Sequence, residues 1–142
     1  MKKETAEWIT GIAIGLILSI LLAVKVMAAP LSESDKELIA KTVQAEAGNQ
    51  SLEGKRLVCA VILNRVEHEA FPDSVEKVLS QPGQFTTYKK LGYTDITWQD
   101  QLAVQMEMES RSNTEVLFFN CGGYIPNTNK LMKFEDHYFS TL

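Results

Sequence analysis

The chain has 142 residues, 45% of them hydrophobic and 23% charged, and this length and composition predict one globular domain rather than two. Its net charge is −4 and its basic residues form no stripe. We therefore expect no binding to nucleic acid, which requires clustered Lys and Arg to neutralise phosphates. Cys59, Cys121, His68 and His137 match no zinc-binding spacing, so no metal is expected. The sequence leaves open whether Cys59 and Cys121 pair.

Residues 1–29 are predicted to direct export. Lys2 and Lys3 precede an uncharged apolar stretch, residues 8–24, which is typical of a hydrophobic helix. This helix either stays in the membrane as an anchor or is removed as a signal peptide, and both alternatives stay open. The basic start favours a cytoplasmic N-terminus. We therefore expect the remainder on the outer face of the cytoplasmic membrane or secreted to the cell wall.

Residues 30–142 are predicted to form an α+β domain that is mostly helical. Residues 30–35 are interpreted as a linker, and a capping box at residues 34–37 predicts the start of a first helix that ends at Gly48. A second helix, apolar nearly all round in its middle, is predicted to start at residues 49–51 and to run to about residue 66 as the buried central helix. Asp73 is expected to cap a short third helix that ends at residues 81–83.

The second half of the domain is predicted to hold one more helix and a small β-hairpin. Residues 84–96 are interpreted as a long loop. Thr97 is predicted to cap a helix from Trp98 to about Arg111, with Leu102, Met106 and Glu109 on one face. Residues 116–119 are β-like, residues 121–127 are turn material, and residues 131–139 are expected to form the second strand.

Glu46 stands out because it lies on an otherwise apolar helix face. Ile39, Val43 and Ala47 share that face at helical spacing. A carboxyl group that is withdrawn from water tends to keep its proton near neutral pH, and a protonated acid can cleave a glycosidic bond. The alternative is a structural ion pair with Arg65 of the next helix. Glu53, Asp73 and Asp95 are candidates for a second carboxylate, but helix caps and loop charges explain them better.

Several sequence fragments resemble the cell-wall hydrolase family of the spore cortex-lytic enzymes SleB and CwlJ. They include VQAEAG (43–48), VILNRV (61–66) and QPGQFT (81–86), together with residues 53–54, 71–72, 78–79, 117–120 and 137–139. Their order and spacing cover residues 36–140, so the predicted catalytic domain is residues 36–142. The resemblance implies a lysozyme-like fold related to lytic transglycosylases, with no metal or organic cofactor.

The resemblance also implies a reaction and a set of site residues. The reaction is cleavage of peptidoglycan glycan strands between N-acetylmuramic acid (MurNAc) and N-acetylglucosamine (GlcNAc), with formation of a 1,6-anhydromuramic end. Glu46 matches the catalytic glutamate of the family. Gln84, Phe85 and Thr86 match a segment that faces this glutamate across the cleft.

Four further residues are candidates for substrate binding, each with a structural alternative. Asn64 could orient a sugar or Glu46, or bond a backbone group near the end of its helix. Asn120 and Tyr124 could bind acetamido or hydroxyl groups, or serve turn geometry and packing. His137 could assist, although a histidine beside two aromatic residues is often structural. Simple anchoring of the loop is the alternative for Gln84 and Phe85.

Three functions therefore compete. The leading one is a lytic transglycosylase or muramidase that acts in the vegetative wall, the spore cortex or phage lysis. The second is an N-acetylmuramoyl-L-alanine amidase, which usually requires zinc. The third is a membrane-tethered module that binds peptidoglycan without cleaving it.

Overall fold

The computed structural model describes residues 30–142. The predicted signal peptide or anchor, residues 1–29, lies outside the described residues. The elements in chain order are helices α1 (Glu33–Ala47), α2 (Leu52–Glu67) and α3 (Val75–Leu79), a 3₁₀ helix (Tyr88–Tyr93), helix α4 (Trp98–Glu109), and strands β1 (Phe118–Asn120), β2 (Asn129–Phe134) and β3 (His137–Thr141). This confirms the mostly helical α+β fold. Within residues 30–142, no helix has the length and apolar character that a membrane crossing would need.

Helix α2 is the centre of the domain, as predicted. It begins after Ser51, whose hydroxyl accepts the backbone N–H of Gly54, and every residue from 57 to 65 is buried. Helix α1 packs against α2 through Ile39, Val43 and Ala47, which are fully buried. An all-round apolar helix is stable only when other elements cover it. Helices α1, α3 and α4 provide that cover, together with β1.

Helix α1 begins two residues earlier than the sequence predicted. Ser32, not Ser34, is the N-cap, and it forms a capping box with Asp35: the Ser32 side chain accepts the Asp35 N–H, and the Asp35 carboxylate accepts the Ser32 N–H. Half of the predicted linker, residues 33–35, is therefore helical. The predicted end at Gly48 is confirmed, but Gly48 keeps right-handed backbone angles, with φ −58°.

The buried face of α4 differs from the prediction. Its fully enclosed residues are Asp100, Ala103, Val104 and Glu107, whereas Glu109 is exposed. Two carboxylates can occupy a buried face here because cationic side chains of α2 meet them. Lys55 contacts Asp100, and Arg56 contacts Glu107. The predicted capping of α4 by Thr97 is confirmed.

Two other predicted segments differ in detail. Asp73 does not cap α3, since Ser74 holds the cap position and Asp73 pairs with Lys77 instead. The predicted loop 84–96 contains the 3₁₀ helix, which buries Leu91 against the core.

The β element is a three-stranded antiparallel sheet with the order β1-β3-β2 rather than a two-stranded hairpin. The predicted second strand, residues 131–139, is two strands joined by a tight turn at Glu135-Asp136. Glu135 adopts a left-handed backbone with φ 48°, which lets the chain reverse without a glycine. Central strand β3 buries His137, Phe139 and Ser140, and Phe139 belongs to the hydrophobic core cluster.

Candidate functional site

The carboxyl group of Glu46 lies near the C-terminal end of α1, where it is half-buried. The hydroxyl of Thr87 donates a hydrogen bond of 2.6 Å to Glu46 Oε1. Thr87 directly precedes the 3₁₀ helix, so the segment after α3 crosses the end of α1 at this point. The contact joins positions 41 residues apart and places a hydroxyl donor, not a cation, against the carboxylate.

Arg65 is not the partner of Glu46, so the structural ion pair considered from the sequence is wrong. Its Nε donates to the backbone carbonyl of Leu117 at 2.6 Å. The guanidinium lies about 5 Å from three ring centres, those of Phe71, Phe85 and Phe118. Burial lowers the pKa of Arg65 to about 10. Within residues 30–142, Glu46 forms no ion pair.

His137 lies beside Glu46, at the start of β3, and only 1% of its surface is exposed. Its ring packs edge-on against Phe119 with centroids 5.2 Å apart. Neither ring nitrogen meets hydrogen-bond geometry with a described residue. Burial lowers the pKa of His137, and this effect outweighs the opposing charges of Asp136, Glu46 and Glu135 and the nearby Glu46 carbonyl. The ring is therefore neutral at neutral pH.

The turn between β2 and β3 closes on the connection between α1 and α2. Glu135 accepts the backbone N–H of Ser51 at 3.0 Å, at the start of α2, where the helix dipole favours a negative charge. Asp136 accepts from the Gln50 side chain at 2.9 Å. A Cβ at Gly54 would lie 2.6 Å from Glu135 Oε2 and 2.9 Å from Gln50 Cβ, so any larger residue would displace these neighbours. These contacts, which we call the turn clamp, fix the chain immediately after Glu46.

The three residues predicted to face the glutamate have different surroundings. Phe85 is 4% exposed and packs in the core under Arg65 and beside Phe119, which matches the loop-anchor alternative. Gln84 and Thr86 flank it and are exposed. A buried Phe85 fixes the backbone on either side of it, and Thr87 is the position that reaches Glu46.

The other three predicted binding residues are engaged locally. Asn64 is buried, and its amide donates to the carbonyls of Asn113 and Val116 at 3.0 and 2.9 Å, which is the structural alternative. Asn120 donates to the carbonyl of Gly123 across a turn. Tyr124 packs edge-on against Tyr138 with centroids 5.1 Å apart.

The two cysteines have different environments, and both are free thiols. Cys59 is buried in α2, and burial raises the pKa of its thiol well above its usual range. Cys121 is exposed in the turn after β1. Within residues 30–142, no three His, Cys, Asp or Glu side chains are grouped as metal ligands would be.

Comparison with known proteins identifies a family for most of this domain. The sequence model of the family described as Cell Wall Hydrolase matches residues 49–140. The match begins three residues after Glu46. It includes Thr87, His137 and the turn clamp, but Glu46 itself lies outside it.

Curated relatives share a shorter stretch of sequence. The spore cortex-lytic enzyme of Oceanobacillus iheyensis is 44% identical over 55 residues, which cover 39% of this chain and 20% of that protein. The spore cortex-lytic enzyme of Bacillus subtilis is 42% identical over 55 residues, covering 39% of this chain and 18% of the relative. The aligned part of the chain thus spans about a fifth of the length of these relatives.

Two solved structures share the fold. The catalytic domain of the germination-specific lytic transglycosylase SleB from Bacillus anthracis aligns with a TM-score of 0.69 and 24% identity, covering 81% of this chain and 100% of that one. The catalytic domain of the Bacillus cereus SleB protein aligns with a TM-score of 0.72 and 25% identity, covering 80% and 94%. With the family match over residues 49–140, these findings show that the chain belongs to the Cell Wall Hydrolase family.

Proposed function

We propose that this chain degrades peptidoglycan by cleaving the glycosidic bond between MurNAc and GlcNAc, with Glu46 as the acid and then the base. One observation carries the proposal. The carboxylate of Glu46 is half-buried, forms no ion pair within residues 30–142, and has one oxygen held by Thr87. Family membership and the similarity to cortex-lytic enzymes and SleB support the choice of substrate.

The reaction requires two proton transfers at Glu46, first from it and then to it. The acid form of Glu46 donates its proton to the glycosidic oxygen, and the bond from this oxygen to C1 of MurNAc breaks. The positive charge that develops at C1 is neutralised by attack of the C6 hydroxyl of the same sugar. Glu46, now a carboxylate, accepts the proton of that hydroxyl. The products are a free GlcNAc 4-hydroxyl and a 1,6-anhydromuramic end, and no water is consumed.

Thr87 is proposed to orient Glu46 for both steps. A hydroxyl that donates to Oε1 holds the carboxylate through a neutral hydrogen bond. A Lys or Arg partner would instead neutralise its charge. The bond also fixes the rotation of the carboxyl group. Oε2 is then the oxygen that donates a proton to the glycosidic oxygen and later accepts a different proton from the C6 hydroxyl.

The surroundings favour a single-carboxylate mechanism. Glu135 and Asp136 are the other acidic side chains whose charges reach His137 beside Glu46, and both are engaged in the turn clamp. Glu53 pairs with Arg56, and Asp73 pairs with Lys77. We therefore do not propose a pair of cooperating carboxylates, which is the arrangement in most glycosidases.

Digestion of purified peptidoglycan tests this function. We expect the wild-type chain to release fragments with anhydromuramic ends, detected by mass spectrometry, and the Glu46→Gln variant to lose at least about a thousandfold in rate, as removal of an essential acid–base group does. Glu33→Gln, on an exposed position of the same helix, is the matched control and should keep full activity.

The products discriminate between the competing functions. Hydrated reducing ends would show a muramidase that uses water. Free stem peptides would replace the proposal with an amidase, and binding without products would replace it with a non-catalytic module. Activity of Glu46→Gln near that of the wild type would refute the role of Glu46.

A cell-wall substrate requires export, and we propose that residues 1–29 provide it as an anchor or a cleaved signal. Catalysis is assigned to the folded domain after this segment, so an uncleaved segment would hold the enzyme at the membrane. Cell fractionation and the N-terminal sequence of the mature protein test this. An intact protein found only in the cytoplasm would contradict it.

A further inference from the structure

Arg65 is a buried cation that has no anionic partner among the described residues. Its side chain is 3% exposed, and none of the ion pairs within residues 30–142 includes it. Its Nη1 also has no hydrogen-bond partner in this part of the chain. Burial of a charge costs free energy unless other contacts compensate for it. The contacts that Arg65 does make must therefore provide that compensation.

These contacts join three other segments of the chain to α2, the helix that carries Arg65. The Arg65 Nε donates to the carbonyl of Leu117, just before β1, at 2.6 Å. The guanidinium carbon lies over the rings of Phe71, Phe85 and Phe118, at 5.0, 5.3 and 5.1 Å from their centroids. A cation attracts an aromatic ring more strongly when both are withdrawn from water. Arg65 thus holds the segment after α2, the segment after α3 and the start of β1.

Phe85 connects this cluster to the proposed catalytic group. It is 4% exposed, and its ring also packs against Phe119 with centroids 6.1 Å apart. The N–H of Tyr88 donates to the Phe85 carbonyl at 3.1 Å, which closes a turn that contains Thr87. The Thr87 hydroxyl in turn donates to Glu46 Oε1 at 2.6 Å. Measured contacts therefore lead from the guanidinium to the Glu46 carboxylate.

We propose that Arg65 is a positioning residue for Glu46 and acts through Phe85 and Thr87. The guanidinium holds the Phe85 ring, and the closed turn transmits that position to the Thr87 hydroxyl. A direct ion pair would neutralise the Glu46 carboxylate, whereas this arrangement orients it and leaves its charge free for proton transfer. An apolar side chain could fill the same space, but it would leave the Leu117 carbonyl unpaired and the three rings without a common contact.

This inference rests on the proposed function, and kinetics on a soluble glycan fragment are its first test. We expect Arg65→Met to lower kcat at least about tenfold with KM unchanged, because a misplaced catalytic group slows the reaction without weakening substrate binding. Thr87→Val should lower kcat in the same way. The variant with both substitutions should be no slower than Thr87→Val alone, since both changes act on one path to Glu46.

Two further variants separate this role from a general loss of stability. Arg65→Lys keeps the buried cation but not the planar guanidinium, and it should also lower kcat. It takes the place of Arg65→Met in every comparison if circular dichroism shows that Arg65→Met is unfolded. Arg111→Met is the matched control, because Arg111 bonds Asn64 and Glu67 instead, and it should keep the wild-type kcat.

A second measurement does not depend on cleavage. In the free protein, the NMR signal of the Glu46 carboxyl carbon responds to its hydrogen bond with Thr87. Arg65→Met should displace this signal in the same direction as Thr87→Val, and Arg111→Met should not. An undisplaced signal, or losses in kcat that multiply when both substitutions are present, would overturn the positioning role. If the wild-type protein cleaves no substrate but the signals respond as expected, the proposed function fails and the positioning role stands.

Discussion

The buried ion pair between Lys55 and Asp100 gives the sharpest prediction for stability. The Lys55 Nζ is 2.6 Å from Asp100 Oδ1, and the two side chains are 1% and 0% exposed. Lys55→Met removes the cation and leaves the carboxylate buried. Two donors remain on the other oxygen, the Thr97 N–H and hydroxyl, each at 2.7 Å. They soften the loss but do not neutralise the charge, so we expect a cost of about 3–5 kcal/mol.

Urea unfolding followed by circular dichroism measures this cost. With a slope of about 2 kcal/mol per molar urea, the midpoint should fall by about 1.5–2.5 M. Lys77→Met is the matched control, because Lys77 and Asp73 form an ion pair on the surface with side chains 67% and 85% exposed. An exposed pair of this kind contributes about 0–1 kcal/mol, so this midpoint should hardly move.

A double variant keeps the prediction testable if Lys55→Met folds poorly. Lys55→Met with Asp100→Asn removes both charges and retains an acceptor for Thr97, so it should be more stable than Lys55→Met alone. The reasoning is refuted if Lys55→Met costs less than about 1 kcal/mol, or if the second substitution destabilises the protein further.

Three further outcomes are expected. Gly54→Ala should lower the melting temperature by displacing the Glu135 carboxylate, whereas Gly92→Ala, with open space around it, should not; equal melting temperatures would contradict the turn clamp. Because burial lowers the pKa of His137, the unfolded state binds its proton first on acidification. The contribution of His137 to the free energy of unfolding should therefore be constant above about pH 6.5 and should decrease as the pH falls below that value. Urea midpoints at pH 7.5 and 5.5 should differ less in His137→Gln, and an equal difference would count against this account. Maleimide should label Cys121 in the folded protein and Cys59 only after denaturation, as mass spectrometry of the products would show.

The sequence predicted those features that depend on periodicity or on local caps. The all-round apolar run of α2 indicated the central helix, and Thr97 marked the start of α4. Glu46 could be singled out as a candidate because a carboxyl group interrupts an apolar face. The buried face of α4 could not be found in this way, because Asp100 and Glu107 are compensated by Lys55 and Arg56 from another helix. A prediction from hydrophobic periodicity assigns charged positions such as Asp100 and Glu107 to the solvent-exposed face.

The residue that bonds Glu46 was missed for a different reason. The sequence indicated Gln84, Phe85 and Thr86 as facing Glu46, and Thr87 is the residue that hydrogen-bonds it. Loops have no regular period, so the direction of each side chain depends on which neighbour is anchored in the core, here Phe85. The turn at Glu135 was missed because it contains neither Gly nor Pro, although its backbone is left-handed. Contacts with α2 stabilise that conformation.

The turn clamp also determines how late during synthesis and folding the segment after Glu46 becomes ordered. Its hydrogen bonds join residues 84 and 86 positions apart, and β3 is the central strand of the sheet. Contacts of such long range form late, because the intervening chain must first be ordered. The segment after Glu46 therefore lacks these hydrogen bonds until residues 135–141 have been synthesised and have folded. A nascent or truncated chain would lack the supported glutamate, so the proposed cleavage of peptidoglycan would begin only once these residues have folded.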